Sequence, residues 1–152
     1  SRQYRTVPAQ RHGQWNHRRN HPGRRRVRDR RALAMPEIAI GLTATRHLLV
    51  EGAAVYSPTG RAEHSVLSSP AMIMEMEIAS VDAVRNHLQV GETTVGFHVD
   101  VKHVAPAPAG NQVETTATLV EITGRKLKFQ VETRFGNVLV GTGFHRRAIV
   151  RL

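Results

Sequence analysis

The chain has no cysteine. Disulfides, thiolate nucleophiles and cysteine-based zinc sites are therefore excluded at the outset. It also lacks any apolar run near the roughly 18 residues needed to span a bilayer. Its arginine-rich start is not followed by the apolar stretch that a secretory signal requires. Neither a glycine-rich phosphate loop nor an internal repeat is found in the 152 residues. These absences point to a cytoplasmic protein with no membrane association, long enough for one ordinary domain with a real core.

Acidic residues are nearly missing from the first 34 positions, which hold eleven arginines, no lysine and one acid, Asp29. The formal net charge of +10 resides there, because from Met35 onward 11 basic residues face 11 acidic ones. With few aliphatic residues and little periodicity, residues 1 to 34 cannot bury enough apolar surface to offset their ordering entropy. A disordered or irregular extension is expected, followed by a domain over residues 35 to 152. Arginine pairs with phosphate, so the extension leaves open a nucleic-acid or anionic-surface arm. A contact arm for another subunit is the second reading, and an extension without a dedicated role, upstream of a natural start at Met35, is the third.

Within the domain, residues 42 to 50 read as a first strand and 51 to 68 as a loop punctuated by Pro58 and Gly60. Ser69 followed by Pro70 is a helix start, a hydroxyl N-cap and then proline in the first turn. The helix is expected to run to about Leu88, with Gly91 just beyond. Four strand-like stretches follow, over residues 93 to 104, 112 to 122, 126 to 135 and 138 to 150, separated by "APAPAG", by a turn at Gly124 and by Gly136-Asn137. One helix cannot cover both sides of a five-stranded sheet. The economical solution is an antiparallel sheet that curls around the helix, an α+β architecture.

The helix carries two early carboxylates. Advancing about 100° per residue places Glu75 with Asp82 and Asn86 in a narrow polar stripe, read as solvated. Glu77 emerges instead among Ile73, Val81, Val84 and Leu88. A carboxylate facing the interior is costly unless hydrogen-bonded or set in a cleft, which makes it either a candidate general base or a salt-bridged structural residue. In the following strand Val95, Phe97, Val99 and Val101 share a face by period two, and His103 is in phase with them. Glu77, His87 and His103 are of zinc-ligating types, but no compact metal spacing is present and no metal site is expected.

The helix opening "LSSPAMIMEMEIAS", the segment "VKHVAPAPAGNQVETTATLVEITGRKLKF" and the terminal "VGTGFHRRAIV" resemble hotdog-fold thioesterases, with the fluoroacetyl-CoA thioesterase-like group the most similar. The likeness covers roughly residues 38 to 151. It implies a hotdog fold and a homodimer, or a tetramer built from it, with active sites between subunits acting on acyl-CoA. No cofactor is implied beyond the coenzyme A that the substrate carries. The group's helix-start hydroxyl, helix glutamate and strand histidine match Ser69, Glu77 and His103. Family members usually have threonine where this chain has Ser69, and the fluoroacetyl-specific relatives have a phenylalanine in the loop before the helix. Residues 51 to 68 contain none, only Tyr56, so the resemblance implies a general acyl-CoA thioesterase.

On that reading Glu77 deprotonates water or attacks the carbonyl, His103 orients and shuttles a proton, and Ser69 hydrogen-bonds substrate or Glu77. The backbone N–H groups of Ala71 and Met72 are candidates to polarise the thioester oxygen. Gly141 and Gly143 permit close approach of a pantetheine arm, or else mark a twisted strand. Arg146 and Arg147 are candidates for CoA phosphates, or else are solvated. Two alternatives stay open, a noncatalytic acyl-CoA-binding protein and a hotdog enoyl-CoA hydratase.

Overall fold

A computed structural model describes residues 36 to 152. The basic extension expected over residues 1 to 34 lies outside the described residues.

Seven strands and one long helix follow in chain order: β1 (Thr43–Leu49), β2 (Val55–Tyr56), β3 (Val66–Leu67), α1 (Ser69–Val84), β4 (Glu92–His103), β5 (Gln112–Thr123), β6 (Lys126–Phe135) and β7 (Val138–Arg151). The five long strands form one antiparallel sheet in the order β1-β5-β6-β7-β4, and the loop before the helix contributes a separate two-stranded β2-β3 ladder. The sheet curls around α1, as the single helix required. Alternation along β5 and β6 explains why: Val113, Ala117 and Leu119, with Leu127, Phe129 and Val131, are all buried on the face toward the helix. Met72, Met76, Ala79 and Val84 meet them from α1. Each large side chain so buried contributes about 1.5–3 kcal/mol.

Two glycines in β7 let this packing close. A Cβ at Gly141 would collide with the Met72 thioether and stand 3.2 Å from the Met76 methyl. At Gly143 it would run into the backbone of Asp100 and Val101 in β4.

The helix starts one residue earlier than the sequence suggests. Ser68, not Ser69, is the N-cap: its Oγ accepts from the Ala71 N–H at 3.2 Å, while its carbonyl accepts from the Met72 N–H at 3.0 Å. Ser68→Ala is expected to lower stability by about 1 kcal/mol, read as a fall in the midpoint of urea unfolding. The helix also ends earlier, at Val84, and tightens into a 3-10 turn over Arg85–His87.

The polar stripe of α1 groups as expected but is not solvated. Glu75 is 7% exposed, because β1 crosses over that side of the helix. Arg46 of β1 donates from Nε to Glu75 at 2.9 Å and from Nη1 to Asp82 at 3.1 Å. The hydrogen bond to Glu75 is the main reason the guanidinium pKa lies above its ordinary value, against the opposing effect of burial.

Period two fails in β4 for a local reason. Gly96 pairs with Arg147 and His98 with Arg146, so Phe97 is the extra residue of a β-bulge. The bulge reverses the phase. Thr94 and Gly96 turn inward before it, whereas Val99, Val101 and His103 lie opposite His145, Gly143 and Gly141 after it. Phe97 is 50% exposed and stands on the outer face, with the Lys126 ammonium 5.7 Å from its ring centroid.

Candidate active site

With Ser68 serving as the cap, the Ser69 side chain is free of helix capping. Its Oγ lies 2.8 Å from Nδ1 of His103. The histidine ends β4, directly opposite Gly141, and it is half-buried. Its Nε2 is buried and has no hydrogen-bond partner among the described residues. A buried ring nitrogen left unpaired is costly, and such atoms call for an absent water or ligand.

Two turns along α1, Glu77 is half-buried. Within one chain its carboxylate makes no hydrogen bond to Ser69 or His103 among the described residues. Its charge instead acts on a pair the sequence reading had not joined, His145 and Arg147 of β7. Both are buried, at 1% and 6% exposure. Arg147 donates from Nε to Thr94 Oγ1 at 2.9 Å and from Nη2 to the Thr94 carbonyl at 2.8 Å. Its Nη1 lies 3.0 Å from Nε2 of His145, whose Nδ1 is 3.1 Å from the His98 carbonyl. Burial pushes the imidazole pKa below its ordinary value and the Arg147 charge adds to this, opposed by Glu77 and the His98 carbonyl. Burial likewise lowers the Arg147 pKa, opposed by Glu77.

The remaining candidates separate. The N–H groups of Ala71 and Met72 are already taken by Ser68, so the positive end of the helix dipole, rather than those two donors, faces the site. Gly141 and Gly143 are explained by their contacts with Met72 and with β4. Arg146 and Arg147 point to opposite faces of β7. Arg147 is the interior residue just described. Arg146 pairs with Lys128 and His98 and lines an outer cleft of about 270 Å³ with Phe97, Glu121, Lys126 and Lys128. Among the described residues no group of three or more His, Asp or Glu is placed to hold a metal ion.

The signal for the buried pair was present in the sequence. Gly141, Gly143, His145 and Arg147 recur at period two, so an inward assignment for the glycines carries the histidine and the second arginine with them. Thr94 was hidden by the bulge at Phe97.

Comparison with known proteins agrees with the fold. The family model for fluoroacetyl-CoA-specific thioesterase (FlK) matches residues 50–152. The fluoroacetyl-CoA thioesterase of Streptantibioticus cattleyicolor is 35% identical over 107 residues, which are 70% of this chain and 73% of that protein. A solved structure of the fluoroacetyl-CoA thioesterase FlK superposes with a TM-score of 0.69 at 29% identity, covering 77% of this chain and 91% of the other. A thioesterase superfamily member from Thermus thermophilus gives a TM-score of 0.67 at 25% identity, over 77% and 85% of the two chains. No helix among the described residues is long and apolar enough to cross a membrane. The chain belongs to the fluoroacetyl-CoA-specific thioesterase family, and it is a thioester hydrolase of hotdog fold.

Proposed function

We propose that the chain hydrolyses acyl-CoA with Glu77, His103 and Ser69 as its working groups, in a homodimer whose active site lies between subunits. Water and the thioester are consumed, and the free acid and CoA thiol are released. Glu77 either takes the proton from the attacking water or attacks the carbonyl itself to give a mixed anhydride that water then opens. The Ser69 hydroxyl holds the His103 ring, whose other nitrogen is the group left to meet water, substrate or leaving thiolate. The observation that carries this reading is the 2.8 Å contact of Ser69 with His103, combined with a buried and unpartnered Nε2.

The sheet edge supports the dimer. β4 is an outer strand of 12 residues, and Val95, Val99 and Val104 on or just after it are 46%, 42% and 52% exposed. A long apolar edge is a template for pairing with another strand, and a second copy supplies one in a closed two-fold arrangement. Light scattering on the purified protein should give twice the chain mass. A mass equal to one chain would remove the shared site, and four chains would extend it to a tetramer.

The acyl group is the point on which this chain departs from its named relatives. The loop over residues 51 to 68 carries no phenylalanine, and its Tyr56 is exposed. A broad acyl preference, not one confined to fluoroacetyl-CoA, is therefore proposed. The test is a panel of acyl-CoA and enoyl-CoA esters that includes fluoroacetyl-CoA, with free thiol and double-bond absorbance followed together. Thiol release across several acyl groups supports the proposal. Turnover of fluoroacetyl-CoA alone would overturn the broad preference. Double-bond loss with the thioester intact would make the protein a hydratase, and binding without either change a noncatalytic acyl-CoA-binding protein.

A further inference from the structure

We propose that the outer face of the sheet carries a nucleotide-phosphate site, the cleft between β4, β6 and β7, where Lys126, Lys128 and Arg146 meet phosphate oxygens and Phe97 meets the base. Its occupant is the nucleotide end of the CoA substrate or a separate nucleotide, two sources of one chemistry. The cleft lies on the face of the sheet opposite to Ser69 and His103, and it does not depend on the role given to Glu77.

The strand register makes this cluster a cost to folding. Lys128 of β6 stands directly opposite Arg146 of β7, and Arg146 directly opposite His98 of β4. Lys126 is diagonal to Arg146 in the same strand pair. Like charges opposite one another across strands destabilise a sheet. Elsewhere in the domain carboxylates compensate: Arg46, Arg61, Arg85, Arg125 and Arg134 each contact one. Arg146 and Lys126 contact none among the described residues. One carboxylate lines the cleft, Glu121, 4.0 Å from Lys128. Three cations against one acid leave surplus positive charge at one spot, although the domain from Met35 onward is neutral as a whole. A local rule broken without a structural return marks a functional site.

The residue types choose the ligand. An arginine fork and two ammonium groups suit a group with several oxygens and more than one negative charge, which phosphates offer and a lone carboxylate does not. Two half-exposed rings accompany them. The Lys126 ammonium stands 5.7 Å from the Phe97 ring centroid and the Lys128 ammonium 4.3 Å from that of Phe144. An exposed ammonium is held only weakly by a ring. Once it swings to a phosphate, the ring is open to a stacked base, a stronger contact. The β4 bulge supplies the platform, since the extra residue it places on the outer face is Phe97. Size sets the limit: about 270 Å³ is below the roughly 300–1,000 Å³ of sites that bury a whole small ligand. The cleft therefore takes the phosphates and base, not an entire acyl-CoA.

Calorimetric titration of the full chain with pyrophosphate and with ADP tests the site. The eleven arginines of the first 34 residues also attract phosphate, so the readout is the difference between the parent and variants of the cleft. Arg146→Gln and Lys128→Gln should each weaken both ligands by roughly 10-fold, the loss of one charge-assisted contact. Phe97→Ala should weaken ADP and spare pyrophosphate. Arg134→Gln removes a charge of the same face outside the cleft and should change neither. Hydrolysis kinetics then separate the two sources. If the site serves the substrate, Arg146→Gln raises KM for acyl-CoA about 10-fold at constant kcat and leaves the acyl-pantetheine ester unaffected. If it serves a separate nucleotide, ADP affinity falls in the variant while KM for acyl-CoA is unchanged. Equal binding in the parent and in both Arg146→Gln and Lys128→Gln would overturn the proposal, as would an equal loss in Arg134→Gln. ADP binding no tighter than pyrophosphate would overturn the assignment to a nucleotide.

Discussion

Replacing Glu77 with glutamine is expected to lower kcat for acyl-CoA hydrolysis by about 100- to 10,000-fold, the range that loss of a positioned general base covers. Glutamine matches glutamate in shape and keeps the hydrogen-bonding capacity of one oxygen, but it can neither accept a proton at neutral pH nor act as a carboxylate nucleophile. The side chain is half-buried and makes no hydrogen bond or ion pair among the described residues, so little folding stability depends on its charge. The variant should therefore keep its oligomeric state and a melting temperature within a few degrees of the parent. Its KM should move less than kcat, because in the proposed mechanism the group acts on the reacting carbon and not along the length of CoA. Hydroxylamine added during turnover distinguishes the two chemistries: a mixed anhydride at Glu77 is trapped as a hydroxamate on that residue, whereas a base acting through water leaves the protein unlabelled. Undiminished turnover in a folded Glu77→Gln protein would remove the residue from the reaction.

The largest effect on stability is expected at Arg46. Its guanidinium is the partner of Glu75, which is 7% exposed, and it also reaches Asp82. Arg46→Ala strands the Glu75 carboxylate in the seam between β1 and the helix. Removing one partner of a buried ion pair costs about 3–5 kcal/mol. The lower end applies here, because the Arg46 side chain is 33% exposed and water screens part of the interaction. Asp82 is less affected, since it keeps Arg85 at 2.6 Å. A loss of about 3 kcal/mol is a large share of the stability of a domain this size. It should show as a lower urea midpoint with an unchanged slope. The double variant Arg46→Met, Glu75→Leu removes both charges and should recover most of that loss, because the desolvation cost disappears with the pair. A single-variant loss below about 1 kcal/mol would mean that Glu75 finds water once the arginine is gone.

The same residue shows how far a helical wheel reaches. Helical period alone groups Glu75 with Asp82 and sets Glu77 apart, and the structure keeps that grouping. What the wheel cannot supply is which surface lies against each face. Glu75 reads as solvated only while β1 is absent from the picture. β1 begins 26 residues upstream of Ser69, and Arg46 then converts a polar stripe into a buried ion cluster. The strand that follows the helix shows a comparable boundary. Alternation runs cleanly through β5 and β6, and there the buried residues are those that period two selects. In β4 one extra residue at Phe97 shifts the phase. Nothing in "TTVGFHVDV" marks it except a glycine, whose reason is a histidine ring some 49 positions later. Serine-rich helix starts are ambiguous in the same way. Ser68 and Ser69 are both good caps, and only the geometry assigns the first to Ala71 and the second to His103.

Local order belongs to the sequence by itself: five strands and one helix in that succession, an apolar helix that had to be wrapped, a neutral domain behind a basic start, and a glutamate and a histidine out of keeping with their apolar neighbours. These follow from short-range periodicity and turn chemistry, which act within a few residues. The tertiary structure decided what depends on contacts across strands: the partner of Glu75, the bulge that keeps His103 inward, the split of Arg146 from Arg147, and the Thr94–Arg147–His145 cluster. Each of those turns on the closing of the sheet, which brings residues 29 to 53 positions apart within hydrogen-bonding distance and cannot be read from the spacing of either segment alone.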